Sequence, residues 1–205
     1  MFKILLIIFL IALISFFAPI FQLIRRKKLH LKLLYAYLIL GLLAHIIMLC
    51  IYYLLGNANP ITHLYNFLSF ILLMLFFKRN GLNQKVTFGT LFIGTLVFSI
   101  EVSSVRRWFD PSFIFYVYSL FVISLASASR LYKIYKGNQS LNSFEFYFST
   151  TFFIYSVSSM LIGIYDVELR NKSEITAFIL LLLNNLLTIF QNLGITYSLW
   201  KLKEV

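Results

Sequence analysis

The sequence predicts an all-α fold, a polytopic bundle of seven transmembrane helices. Three observations predict it. The chain has 205 residues, 60% of them hydrophobic and only 12% charged, whereas a soluble domain carries about 25% charged residues. The apolar residues come in long blocks, and about 20 in succession are enough to cross a bilayer as a helix. The cations lie in short segments between those blocks, where an excess of Lys and Arg marks the cytoplasmic side. The blocks fill nearly the whole chain, so the reading is one integral membrane domain over residues 1–205.

The first span, 4–24, follows Lys3 and precedes Arg25, Arg26, Lys27 and Lys28, with Lys32 close behind. Five cations after the block against one before it place this loop inside and the N-terminus outside. Arg25, Arg26, Lys27 and Lys28 therefore set the sidedness of every later segment. The opening run has the charge and apolarity of a signal peptide, but Phe16-Phe17-Ala18 lacks the small-x-small cleavage pattern, so an uncleaved helix is expected. Pro19 lies in its last turns and should bend or loosen it there. The second span, 33–55, ends at Gly56-Asn57-Ala58-Asn59-Pro60. That turn offers Asn59 as a cap and Pro60 as the first helical residue of the third span, 61–77.

Lys78 and Arg79 end the third span, and the fourth runs over 86–105. Asp110 before Pro111 reads as a cap and start for the fifth span, 111–132. Asn142 with Glu145 three residues on resembles a capping box for the sixth, 144–165. The seventh, 174–200, brings the C-terminus inside. On this threading thirteen of the eighteen cations fall in inner segments, while Glu101, Asp110, Asp166, Glu168 and Glu174 fall at or near the outside. Trp108, Trp200, Tyr132 and Tyr135 fall at the boundaries, where aromatic belts form.

A net charge of +11 raises the possibility of nucleic acid. The cations instead flank apolar runs, where they meet lipid headgroups, so the lipid bilayer is the expected partner and nucleic acid is not. Cys50 is the single cysteine, which excludes an intrachain disulfide and a Cys-based metal set. Inside an apolar run it is expected to pack as a small apolar group. The chain contains no phosphate-binding Gly-rich loop, no His-Glu-x-x-His and no nucleophile elbow. The last span has no lysine to hold retinal, and the three histidines are scattered. No cofactor, metal or catalytic role is therefore expected.

The polar residues inside the spans carry what functional signal there is. Asn184, Asn185, Thr188, Gln191 and Asn192 recur at helical spacing on the seventh span. In hydrocarbon such a face turns inward, either as interhelical hydrogen-bond glue or as the wall of a ligand or ion path. On the sixth span Ser159 and Gly163 make a small-xxx-small pair, as do Ser124 and Ala128 on the fifth, which suits close helix packing. Glu101 is a carboxylate about one turn inside the outer end of the fourth span, and an ionisable residue at that depth is a functional candidate. Asn66 and Tyr116 fall at a similar depth, with His63 and Tyr65 beside them. His45 and Asn184 are expected deeper, as a floor. The expectation is a small outward-facing polar pocket of Glu101, His63, Asn66, Tyr116, His45 and Asn184, in which Glu101→Leu damages function far more than folding. The bland alternatives are an interfacial His63, a His45 bonded to a neighbouring helix, and a Glu101 that reaches the interface or pairs locally.

His63-Leu64-Tyr65 followed by 67–77, and Asn184-Asn185-Leu186 through Trp200 and Lys201, resemble small seven-helix membrane proteins of Bacteroidetes-type bacteria. Ser69 stands where that pattern has a glutamate. The group is similar to the membrane input domains of some bacterial sensor kinases. The resemblance implies a seven-helix bundle and assigns no residue a role. The expected function is a non-enzymatic sensor or accessory module in the inner membrane. It would bind a small ligand, lipid or partner helix and pass the change to a cytoplasmic signalling partner. The alternatives are a small transporter or channel subunit lined by the last span and His45, and a lipid enzyme using Glu101 and His63.

Overall fold

Helices form wherever the apolar blocks run. The computed structural model describes residues 2–26, 31–103, 113–137, 141, 143–169 and 174–202, and among them the regular structure is helical. The helices are α1 (Phe2–Ser15), α2 (Phe17–Arg26), α3 (Lys32–Leu55), α4 (Asn59–Arg79), α5 (Gln84–Glu101), α6 (Ile114–Lys136), α7 (Phe144–Leu169) and α8 (Glu174–Trp200). Among the described residues six segments are long and apolar enough to cross a membrane: Leu6–Arg25, Lys32–Leu54, Asn59–Arg79, Ile114–Lys136, Phe144–Tyr165 and Phe178–Trp200. The fourth expected span, α5, is not among the six. It is 18 residues long and carries Lys85 and Glu101 at its two ends.

The core is apolar, but the outside differs from a water-soluble protein's in carrying many large apolar side chains. Leu54 is 80% exposed and Phe92 67%, while Thr87, Ser127, Ser156, Ser159 and Ser198 are fully buried. Apolar surface turned outward suits a hydrocarbon solvent, and three of these inward hydroxyls, those of Thr87, Ser156 and Ser198, find acceptors on their own helices. Ser156 and Ser198, for instance, donate to the carbonyls of Phe152 and Gly194 four residues back. Cys50 is exposed, so it faces outward and does not fill the core as expected.

The helix ends correct several sequence expectations. The first span is two helices, interrupted at Phe16. The Phe16 N–H turns back to Leu13 O at 3.3 Å, a tightened turn, and the interruption comes three residues before Pro19. The physical reason is the proline itself, which has no N–H for the carbonyl of Ser15 and crowds it with its ring. At α4 the cap position falls on Ala58, and it is Asn57, not Asn59, whose Oδ1 accepts the Asn59 N–H at 2.8 Å. Gly56 closes α3 at φ 71°, in the left-handed region, with its N–H on Tyr52 O; a side chain would be strained there. At α7 Ser143 takes the role expected of Asn142, its Oγ accepting the Phe146 N–H at 3.2 Å. Glu145 pairs with Arg130 of α6. Asn142, Trp108, Asp110 and Pro111 lie outside the described residues.

The helices gather into two compact units, residues 28–122 and residues 1–27 with 123–205. In the first, α4 pairs with both α3 and α5. Its centre is aromatic. Phe67 stacks on Phe98 at 4.3 Å, and Phe115 stands 5.7 Å from Phe67 and 5.4 Å from Phe98. Gly94 leaves room for this: a Cβ there would come 2.7 Å from the Phe70 ring and 3.1 Å from that of Tyr118. The Tyr118 hydroxyl donates to Thr90 O at 2.8 Å, tying α6 to α5.

In the second unit the most extensive pairing joins α7 and α8, and α1 and α2 both lie against α8. Gly194 meets Thr151 so closely that a Cβ would stand 3.0 Å from the threonine Cβ and closer still to its Oγ1 and Cγ2. Near the end of α8, Tyr147 meets Tyr197 edge-on at 4.8 Å, and the Lys201 ammonium lies 5.4 Å over the rings of Tyr197 and Trp200. On the other side Asn192 Nδ2 donates to Ser15 Oγ at 2.8 Å.

Candidate functional site

Glu101 is the last residue of α5, where a carboxylate opposes the negative end of its own helix dipole. The position makes sense from the next helix. Glu101 Oε1 accepts the N–H groups of Phe113 at 2.7 Å and Ile114 at 2.9 Å, and Oε2 accepts that of Phe115 at 3.0 Å. The first N–H groups of a helix have no partners within it. Three of them at the start of α6 thus converge on one anion, at the positive end of the α6 dipole. Glu101 as a whole is buried, 8% exposed. It is a clamp between two helix ends as well as a candidate ligand group.

The aromatic stack sets the level of the other residues. Phe67 and Phe98 are face to face, α4 runs toward its C-terminus away from them, and α5 runs back. His63 lies one turn before Phe67, and Glu101 lies one turn after Phe98. The two therefore stand at the same level, on the same side of the stack, and His63 is fully buried. That burial differs from an interfacial histidine. Asn66, beside Phe67 and also on α4, is buried. Tyr116 is half-buried and follows Phe115 in the helix turn that Glu101 holds.

His45 does not form a deeper floor. Thr62 reaches Met48 Sδ at 3.3 Å, and the rings of His45 and Tyr65 meet edge-on at 6.1 Å. These two contacts align α3 antiparallel to α4 and put His45 at the level of Tyr65, between His63 and Asn66. A carbonyl oxygen only accepts, so the 2.8 Å contact with Gly41 O places the hydrogen on His45 Nδ1. The floor under this polar layer is Phe67, Phe98 and Phe115. Asn184 is exposed, not buried as the floor residue was expected to be.

The polar face of α8 divides. Thr188, Gln191 and Asn192 are buried as expected, Asn184 is exposed, and half-buried Asn185 donates to Leu181 O on its own helix. Among the described residues no group of three or more His, Cys, Asp or Glu side chains could hold a metal ion. Of the topology residues, Arg25 is exposed at the end of α2 and Arg26 closes that helix, while Lys27 and Lys28 lie outside the described residues. The sequence reading missed the stacked phenylalanines, although Phe67 and Phe70 one turn apart on α4 were a visible signal, and it missed the pairing of Ser15 with Asn192. No protein-family model matches the chain, and neither does any curated protein or solved structure.

Proposed function

We propose that the chain is a seven-span protein of the inner membrane, N-terminus outside and C-terminus inside, that works as a non-enzymatic sensor or accessory module for a cytoplasmic signalling partner. The seventh crossing is α5. Phe67 against Phe98 runs it antiparallel to α4, Glu101 hands the chain to the start of α6, and its outward face carries Phe88, Phe92, Leu96 and Ile100, all exposed. At about 1.5 Å per residue its 18 residues reach roughly 27 Å, close to the thickness of the hydrocarbon core. With seven crossings, the cation count puts Arg25, Arg26, Lys27 and Lys28 inside. Reporter fusions check this directly: one after Val205 is expected to be active only with a cytoplasmic reporter, and one within 166–173 only with an external reporter. An external C-terminus overturns the threading.

The observation that carries the sensing reading is the common level of buried His63 and Glu101 over an aromatic floor. A ligand binding that layer from the outer side competes for a carboxylate that also holds the start of α6. Its binding energy therefore acts on the α5–α6 junction, and α6 ends at the inner side among Arg130, Lys133 and Lys136. A ligand shifts such an equilibrium only by its differential affinity for the two states. The test is proximity labelling from a C-terminal fusion in the native membrane, with His63→Leu and Asn66→Leu as variants. The expected result is a cytoplasmic partner whose labelling changes in both variants. Solute flux or lipid turnover by the purified protein in liposomes, lost in His63→Leu, would replace this reading with a transporter or a lipid enzyme.

A further inference from the structure

The break in the first span brings oxygen acceptors of half-buried Ser15 and of buried Asn192 next to one another. The carbonyl of Ser15 loses its helical donor, because the residue four positions on is Pro19 and has no N–H. The next bond along, from Ile20 N–H to Phe16 O, is made at 3.3 Å. Ser15 Oγ donates to Ala12 O at 2.6 Å and accepts from Asn192 Nδ2 at 2.8 Å, which leaves it a free lone pair. The other atom of the same amide, Asn192 Oδ1, is buried and has no hydrogen-bond partner among the described residues. Asn192 is 1% exposed, and Ala12, Phe16 and Ile20 around the break are buried too.

The chemistry of this set is one-sided. Asn192 Oδ1, the Ser15 carbonyl and the spare lone pair of Ser15 Oγ are all acceptors, and both amide hydrogen-bonding roles are fixed because the Ser15 hydroxyl proton is spent on Ala12. Only a donor or a cation satisfies them. The C-terminal end of α1, with its partial negative charge, points to the same place and favours positive charge. No carboxylate lies on α1, α2 or the inner half of α8. Divalent ions draw on carboxylates, whereas neutral oxygens and unwound helix ends suit a singly charged ion. We infer that the α1–α2 break is a binding site for a small monovalent cation, with Na⁺ as the probe, held by Asn192 Oδ1, the Ser15 carbonyl and Ser15 Oγ.

The experiment measures the unfolding midpoint of the full chain in nanodiscs against NaCl, KCl and choline chloride at constant ionic strength, with radioactive Na⁺ binding alongside. The expected result is a saturable rise with Na⁺ that choline, too large for the break, does not give. Asn192→Leu removes the orphan oxygen and is expected to weaken Na⁺ about tenfold or more, as losing one charge-assisted contact does. Pro19→Ala supplies an N–H to the Ser15 carbonyl and is expected to weaken Na⁺ similarly while making the span a more regular helix. It decides the matter even if Asn192→Leu does not fold. Asn185→Leu, whose amide bonds within its own helix, is expected to keep the response. No Na⁺ response in the unmodified chain, or a response that survives Pro19→Ala, overturns the site and leaves a buried water as its occupant.

Discussion

Glu101→Leu is expected to destabilise the protein by on the order of 3 kcal/mol, seen as a lower midpoint in denaturant titration of the micelle-bound chain. The carboxylate accepts three N–H groups from residues 113–115. Leucine leaves all three without their acceptor, and an orphaned buried donor costs about 1–3 kcal/mol. Some of that is recovered where the junction admits water, which keeps the total near the lower end. Glu101→Gln is the informative partner. Its carbonyl oxygen still accepts two of the N–H groups, but its NH₂ opposes the third, so an intermediate loss is expected. This changes what the sequence alone suggested, namely that leucine would harm function far more than folding. With the clamp in view, a functional assay of Glu101→Leu is interpretable only beside a stability measurement. Equal midpoints for Glu101→Leu and the unmodified protein would mean that α6 starts without this carboxylate.

The second large effect is expected at Gly194. A Cβ there overlaps Oγ1 and Cγ2 of Thr151 at the closest α7–α8 approach. Overpacking costs about 1–3 kcal/mol, so Gly194→Ala is expected to lose about 2 kcal/mol, and Gly194→Leu more. Gly89 supplies the contrast. A Cβ at Gly89 meets nothing within 4 Å, so Gly89→Ala within α5 is expected to gain about 0.5–1 kcal/mol from helix propensity. The double variant Gly194→Ala, Thr151→Ala removes the overlapping atoms and is expected to regain most of the loss. Additive losses in that cycle would contradict the close approach.

The spans were legible because a membrane helix announces itself by length and apolarity, and six of the seven expected blocks meet that standard in the structure. The fourth falls short because Lys85 and Glu101 sit at the two ends of an 18-residue helix. Glu101 was legible as a costly residue. Its partners were not, because backbone N–H groups carry no sequence signature. The level shared by His63 and Glu101 follows from one ring stack, and no spacing within either helix encodes a contact between helices. Along α8, Asn184 and Gln191 are seven residues apart and so share a side, yet Gln191 is buried and Asn184 exposed. Periodicity gives the direction of a side chain. What stands opposite it at that height is a property of the neighbouring helix. Pro19 was legible as a disturbance, but the interruption falls at Phe16 because the proline acts on the carbonyl four residues behind it.

The bond between Ser15 and Asn192 joins residues 177 apart in sequence, and that separation orders the events of synthesis. Residues 28–122 form their own unit and leave the ribosome together, so their helices find one another while the chain is still growing. Residues 1–27 are made before that unit and meet their partner only after it, because α8 is made later than residues 28–122. During that interval Ser15 and the loosened carbonyls behind Pro19 stand in lipid without the amide that completes them. Residues 1–27 are thus exposed to quality-control proteases until α8 has been made. A nascent chain arrested before Asn192 should be cut near residues 15–19, and one arrested beyond the end of α8 should be protected there.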